Sequence, residues 1–372
     1  MANVFVNFAS PNNADMRQLK TLIIIIVSTV LVSVAVCCGG SSNSASGKKT
    51  ERPRFRGVYY WKTVYNPSAY ERGFIRRHDV TRMYIRFFDV VNGYDNNTLS
   101  PIGVPSATVV FKQIPDTAIE VVPVVYITRE AIDAMACQND DNASVYAGKI
   151  IKRIYDICKA NNISGLKEVQ LDCDYATRQQ EAFYKLCYAT GLKLHMQDIK
   201  LSVTVRLHNL RQEPPPADCG VLMVYNTASV RNPNTRNSII DPADVNSFLR
   251  KKPRYALPLD VAYPTFSWSV IADSGRVKLS QRTNWNDTTL YLRTGDNTYT
   301  VKSRHFMDGT ELSEGAEIRV ERSDFASVMA AKRIVDNAFR QDTSRNVLLY
   351  HLDSLNLSKF TDNEIQDIYG SR

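Results

Sequence analysis

The chain has 372 residues, 44% hydrophobic, 10% aromatic and 23% charged, which excludes a disordered, collagen-like or disulfide-scaffold protein and is ample for a large core. Lys and Arg (46) outnumber Asp and Glu (38), giving a net charge of +8, but the basic residues are scattered and no segment interleaves a basic stripe with aromatics. Nucleic acid is therefore not expected as a partner.

In chain order, the first feature is Thr21 to Val36, an apolar run preceded by Arg17 and Lys20, the pattern of a charged n-region and an h-region. Met1 to Asp15 are polar and aperiodic and fit no export signal, so Met16 reads as the true start. The run ends at Cys37-Cys38-Gly39-Gly40 and is shorter than the roughly 20 residues a spanning helix needs. This resembles a bacterial lipoprotein signal, in which a cysteine following small and apolar residues is diacylated; Cys37 and Cys38 both qualify. The same run also reads as a plain membrane anchor or a cleaved secretory signal. The resemblance implies a mis-called leader plus lipoprotein signal at 1–38, a Ser-rich linker at 39–54 and a folded domain at 55–372. It also implies a location at the bacterial cell envelope, on a periplasmic or outer-membrane face, with the membrane as a partner through the lipid anchor.

From Arg56 onward, short β-rich runs alternate with helical stretches, as in a parallel sheet with crossover helices. Strands are expected at Gly57–Thr63, Arg82–Val90, Val121–Thr128, Glu168–Tyr175, Lys200–Asn209, Gly220–Asn226, Tyr255–Pro264 and Asn346–Asp353. Eight strands suggest a closed (β/α)8 TIM-like barrel. Helices are expected at Ser144–Ala160, where Ala147, Ile150, Ile151, Ile154, Ile157 and Cys158 form one apolar face, and at Glu181–Leu192 and Phe325–Phe339, the last behind a cap at Ser323. Arg276 to Glu321 alternates polar and apolar residues, with turn signals at Thr294-Gly295-Asp296-Asn297 and Asp308-Gly309. It reads as a small β-hairpin insertion, at about 276–321, after the seventh strand. Pro258 within that strand is a difficulty, because proline removes a ladder donor.

Cys137, Cys158, Cys173, Cys187 and Cys219 are odd in number and read as buried, inert thiols. With no Cys-x-x-Cys pair and five dispersed histidines, neither a metal nor another cofactor is expected.

In the fifth strand Leu201, Val203, Val205 and Leu207 alternate with Ser202, Thr204, Arg206 and His208. A doubly wound sheet would show near-continuous apolar runs; alternation fits a barrel whose polar set faces the axis and the C-terminal mouth. The fourth strand alternates likewise, Val169, Leu171 and Cys173 against Gln170, Asp172 and Asp174. In the second, Tyr84, Arg86 and Phe88 lie opposite Met83, Ile85 and Phe87. Asp172 and Asp174 must share a face, roughly 6–7 Å apart at a rise of about 3.3 Å per residue. Like charges so placed favour raising one pKa, as a proton donor requires. The competing reading is a buried ionic network with Arg86 and Arg206.

The segment Leu171-Asp172-Cys173-Asp174-Tyr175 resembles the Asp-x-Asp-aromatic core of the family-18 glycoside hydrolases, chitinases and relatives, and Met223-Val224-Tyr225-Asn226 resembles their Met-x-Tyr-Asp. The acid glutamate of that family would fall at Ala176, its first motif aspartate at Val169 and its sixth-strand aspartate at Asn226, so the chitinase mechanism does not carry over. The whole mature chain resembles a group of bacterial lipoproteins with glycoside-hydrolase-like barrels. That resemblance rests on Tyr59-Tyr60-Trp61, Tyr84 to Val90, Asp172 to Tyr175, Thr204 to His208 and Leu257 to Ala262, and it implies fold and location more than activity.

An enzyme of this kind implies carbohydrate as substrate and partner. Asp174, nearer the mouth, is the expected general acid, with Asp172 holding charge or orienting it. Arg86, Arg206, His208 and Asn226 are the expected polar contacts, and Trp61, Tyr126, Tyr225 and Trp268 the faces for sugar rings. Trp61 and Tyr225 equally suit core packing, and His208 equally suits a donor behind the site. His351 and Asp353 share a face near the end of the last strand and are further candidates, though without a Ser or Cys nucleophile they form no triad. The alternative is a non-catalytic envelope lipoprotein that binds a glycan or a partner protein.

Overall fold

The computed structural model describes residues 54–136, 142–250, 255–340 and 344–370. The export signal, Cys37, Cys38, Cys137 and all of the linker but its last residue lie outside the described residues.

Eight parallel strands close into a barrel: Arg56–Tyr60, Arg82–Tyr94, Glu120–Ile127, Glu168–Asp172, Lys200–Arg206, Cys219–Met223, Leu259–Pro264 and Val347–Tyr350. Closure follows from the first strand, which pairs with the second on one side and with the eighth on the other. The chain thus folds as the (β/α)8 TIM-like barrel expected from its alternation. Helices jacket the barrel because each strand turns an apolar set outward. Asn142–Ala160 buries Ala147, Ile150, Ile151, Ile154 and Cys158 as its spacing predicts, with Tyr146 added. Gln180–His195 and Phe325–Ala338 occupy their expected places. Only a 3-10 turn, Leu207–Arg211, follows the fifth strand, so His208 lies beyond the strand that was expected to carry it.

Four further expectations are corrected. The seventh strand begins at Leu259, after Pro258, whose carbonyl still accepts from Gly220 N at 2.9 Å; the ladder therefore never asks proline for a donor. The cap of Phe325–Ala338 is Asp324, accepting from Ser327 N at 2.8 Å, while the Ser323 hydroxyl turns inward to the Phe266 carbonyl. The insertion starts earlier than Arg276, with Ser267–Asp273, and is larger than a hairpin: a five-stranded antiparallel sheet and a separate two-stranded one. Both turn signals hold, and Asp308 and Gly309 have φ of 49° and 73°, as the mirror-image hairpin turn requires. The insertion has its own core around Trp285, Ile271, Tyr291, Leu312 and Ile318, distinct from the barrel's.

The fourth correction concerns the second strand. Its register with the third slips between Arg86 and Phe88, a β-bulge that leaves Phe88 opposite Val125 and Asp89 opposite Tyr126. Phe88 therefore points outward, under Arg153 of the Asn142–Ala160 helix, and Asp89 takes the inward place that strict alternation assigned to Phe88.

The barrel interior is layered and, on one side, polar. Near the floor Glu168 accepts from Tyr84 Oη and Arg82, each at 3.0 Å. One layer up, Tyr59 Oη donates to Gln170 at 2.8 Å, and Gln170 reaches Ser202 at 3.3 Å. Above it, Thr204 Oγ1 donates to Asp172 Oδ1 at 2.6 Å. On the opposite side Leu348 fills the axis beside Gly57, where a Cβ would come within 2.8 Å of Leu348 Cγ, and below it Asn346 donates to the buried Asp260 at 2.9 Å.

Candidate functional site

At the C-terminal mouth, strands two to five deliver carboxylates and guanidinium groups. Arg86 donates to both oxygens of Asp89, through Nε at 2.6 Å and through a second bond from Nη2. Arg129, just past the third strand, donates to the Asp174 carboxylate at 2.8 Å and to its carbonyl. Arg206 Nη2 lies 3.4 Å from Asp172 Oδ1, and its Nε lies 4.0 Å from Asp174 Oδ1. Asp172 ends the fourth strand and Asp174 lies two residues past it, both near Arg206, but their settings differ. The Asp172 side chain is 6% exposed and that of Asp174 42%. Burial pushes the Asp172 carboxyl upward, opposed by Arg206 and the Thr204 hydroxyl; repulsion from Asp174, the cause expected from the sequence, is a smaller contribution. The expected ionic network is present in part: Arg206 reaches both acids, whereas Arg86 is taken by Asp89.

Aromatic rings pave the rest of the mouth, with Tyr350 at their centre. Its ring stacks on Tyr225 at 4.8 Å and 25°, and lies 5.5 Å from Trp61 and 5.8 Å from Phe266. Trp61 meets Tyr126 edge-on at 6.5 Å and carries Arg86 over its face at 5.5 Å. Arg206 lies 5.9 Å from the Tyr225 centroid. Burial raises the phenol pKa values of Tyr126, Tyr225 and Tyr350, so these rings stay neutral. Trp268 packs against Phe266 at 5.2 Å and donates its indole N–H to Glu321 of the insertion at 2.7 Å. That bond fixes the indole between barrel and insertion and spends its donor on Glu321.

A cavity of about 170 Å³ opens between Arg129, Asp174, Arg206, His208, Tyr225 and Asn226. His208 stands at its exposed edge, its pKa lowered by desolvation. Asn226, with φ of 53°, lines the same cavity. His351 and Asp353 gather elsewhere on the rim. Asp353 pairs with Lys62 at 3.4 Å and caps Ser354–Leu357, and His351, its pKa lowered by burial, has Asp353, Lys62 and Glu71 as its charged neighbours.

Two mouth residues escaped the sequence reading. Asp89 was hidden by the bulge, whose only sequence signal is the Phe87-Phe88 pair that interrupts alternation. Tyr350 was legible as an inward residue at the end of the last strand. Among the described residues, no group of three His, Cys, Asp or Glu side chains could hold a metal ion, and no helix is long and apolar enough to cross a membrane.

No protein-family model matches the chain, and no curated protein does. Solved structures with a similar fold include a chitinase from Chromobacterium violaceum (14% identity, 86% of this chain and 100% of that one, TM-score 0.47). Others are the spore cortex-lytic enzyme SleL of Bacillus cereus (12%, 84% and 75%, 0.45) and a Cycas revoluta GH18 chitinase in complex with (GlcNAc)3 (11%, 85% and 100%, 0.46). At these values the likeness concerns the barrel, which the strand pairing already establishes, and says nothing of this chain's activity.

Proposed function

We propose that the protein is a lipid-anchored envelope protein whose barrel mouth binds a glycan and cleaves a glycosidic bond. One observation carries the reading: a carboxyl group favoured in its protonated form by burial, Asp172, lies beside a second, exposed carboxylate at an aromatic-paved barrel mouth. Glycosidic cleavage uses a protonated acid at the leaving oxygen and a second carboxylate that meets the developing positive charge or activates water. In this reading Asp172 rather than Asp174 is the acid, because it is the one whose surroundings disfavour charge. Asp174, held by Arg129, is the second carboxyl group of the pair. Trp61, Tyr126 and Tyr225 offer ring faces to sugars, and Arg206, His208 and Asn226 offer polar contacts.

The full-length protein, incubated with a panel of bacterial and host glycans, is expected to release new reducing ends, and Asp172→Asn is expected to release none. Binding without release would establish the alternative, a non-catalytic glycan-binding or partner-binding protein. Two points favour that alternative: by the sequence resemblance the hydrolases' acid would fall at Ala176, and Asp172 is almost fully covered. Envelope anchoring rests on the sequence Thr21 to Cys38 and is checked separately: mass spectrometry should find acyl chains on a mature N-terminal peptide beginning at Cys37 or Cys38. An unmodified peptide beginning at Met1 would refute it.

A further inference from the structure

The three guanidinium groups of the mouth are not equally matched. Arg86 is held by both oxygens of Asp89, and Arg129 is held by the side chain and carbonyl of Asp174. Arg206 shares its two carboxylates, Asp172 and Asp174, with other donors. Its Nη2 makes a long 3.4 Å contact to Asp172, already engaged by Thr204, and its buried Nε has no hydrogen-bond partner among the described residues. A buried guanidinium nitrogen left without an acceptor is costly, and the planar group that satisfies a guanidinium best is a carboxylate taken by two parallel N–H bonds.

The cavity beside Arg206 suits such a group. About 170 Å³ is less than the roughly 300 Å³ at which whole-ligand pockets begin, so it fits one substituent of a chain lying across the open mouth. Arg129 supplies a second cation on the facing wall, and Asn226 a neutral amide. Asp174 in the same wall disfavours a dianion such as phosphate more than a single carboxylate. We propose that the cavity between Arg129 and Arg206 is a carboxylate subsite, so that the glycan bound at the mouth carries a uronic acid or another carboxyl-bearing sugar. This inference rests on the glycan reading and names its substrate class.

Calorimetry of the full-length protein tests it with three sets of ligands: hexuronate oligosaccharides from pectin, alginate and hyaluronan, the same oligosaccharides after carboxyl reduction, and neutral oligosaccharides bearing sulfate. At least one acidic oligosaccharide is expected to bind about ten-fold or more tightly than its reduced form, the scale of a charge-assisted bidentate contact, with a preference that falls as salt is raised. Arg206→Gln should abolish the preference. Arg129→Gln, at a side chain 44% exposed, should abolish it too, by leaving Asp174 uncompensated. Equal binding of acidic and reduced forms would overturn the inference while the glycan reading stands. A preference for the sulfated set would overturn it in favour of another anion. Binding to none of the three sets would overturn both.

Discussion

Asp172 shows how the setting of one residue, rather than its spacing from another, decides its protonation. The two carboxylates both lie near Arg206, but the fourth strand ends between them, leaving Asp172 inside the barrel and Asp174 at its edge. A carboxyl whose pKa is raised on folding holds its proton more tightly in the native state. The stability it permits is therefore greatest below the unfolded value of about 3.9 and falls as pH rises through the native one. Asp172→Asn should remove that slope, so that the variant gains on the wild type as pH rises above about 4 in urea titrations. A variant that instead loses more than about 3 kcal/mol at pH 7 would show an ionised Asp172 paired with Arg206. By the same sign, any glycan cleavage should fall as pH rises through the native pKa of Asp172, read from pH profiles of kcat/KM.

At the scale of the element, the bulge of the second strand sets the composition of the mouth. Without it, Phe88 would face the axis and Asp89 the helices. Asp89→Asn removes the carboxylate from a largely covered ion pair, with side chains 18% and 10% exposed, and should cost about 2–4 kcal/mol of unfolding free energy, since it strands Arg86. Arg86→Met in that background should recover part of the loss. The helix Phe325–Ala338 offers a simpler case. Asp324→Ala should cost about 1 kcal/mol as the cap bond to Ser327 N is lost, while Ser323→Ala should leave the cap intact. Periodicity located this helix and misplaced its cap by one residue, because Ser and Asp are both good caps and only the path of the chain at Phe266 selects between them.

At the scale of the whole molecule, two cores divide the work. The barrel core places the mouth, and the insertion has a smaller core whose centre, Trp285, is buried and donates to Ser269 at 2.9 Å. Trp285→Ala should cost about 3–5 kcal/mol locally. Hydrogen exchange should then rise across Ser267–Asp273 and Glu317–Arg322 with the barrel strands little changed. Uniform loss of protection in both cores would show that they fold as a single unit. The link between them passes through Glu321, which takes hydrogen bonds from Trp268, Arg319 and Ser238, so loosening of the insertion should also release the Trp268 indole beside Phe266.

The sequence by itself determined the eight strands, their order of faces and the polar interior of strands four and five. These follow from a period-two pattern that burial on one side and helices on the other impose residue by residue. It also placed Arg206, Asp172, Tyr225 and Trp61 at the mouth, since a strand's end and its facing are both local properties. Only the tertiary structure decided the register slip that brings in Asp89, the central place of Tyr350 among the rings, the full extent of the insertion and which of the two carboxyls is buried. Each of those depends on which strand lies alongside and how much of a side chain its neighbours cover, and neither is written in the spacing of residues along one chain.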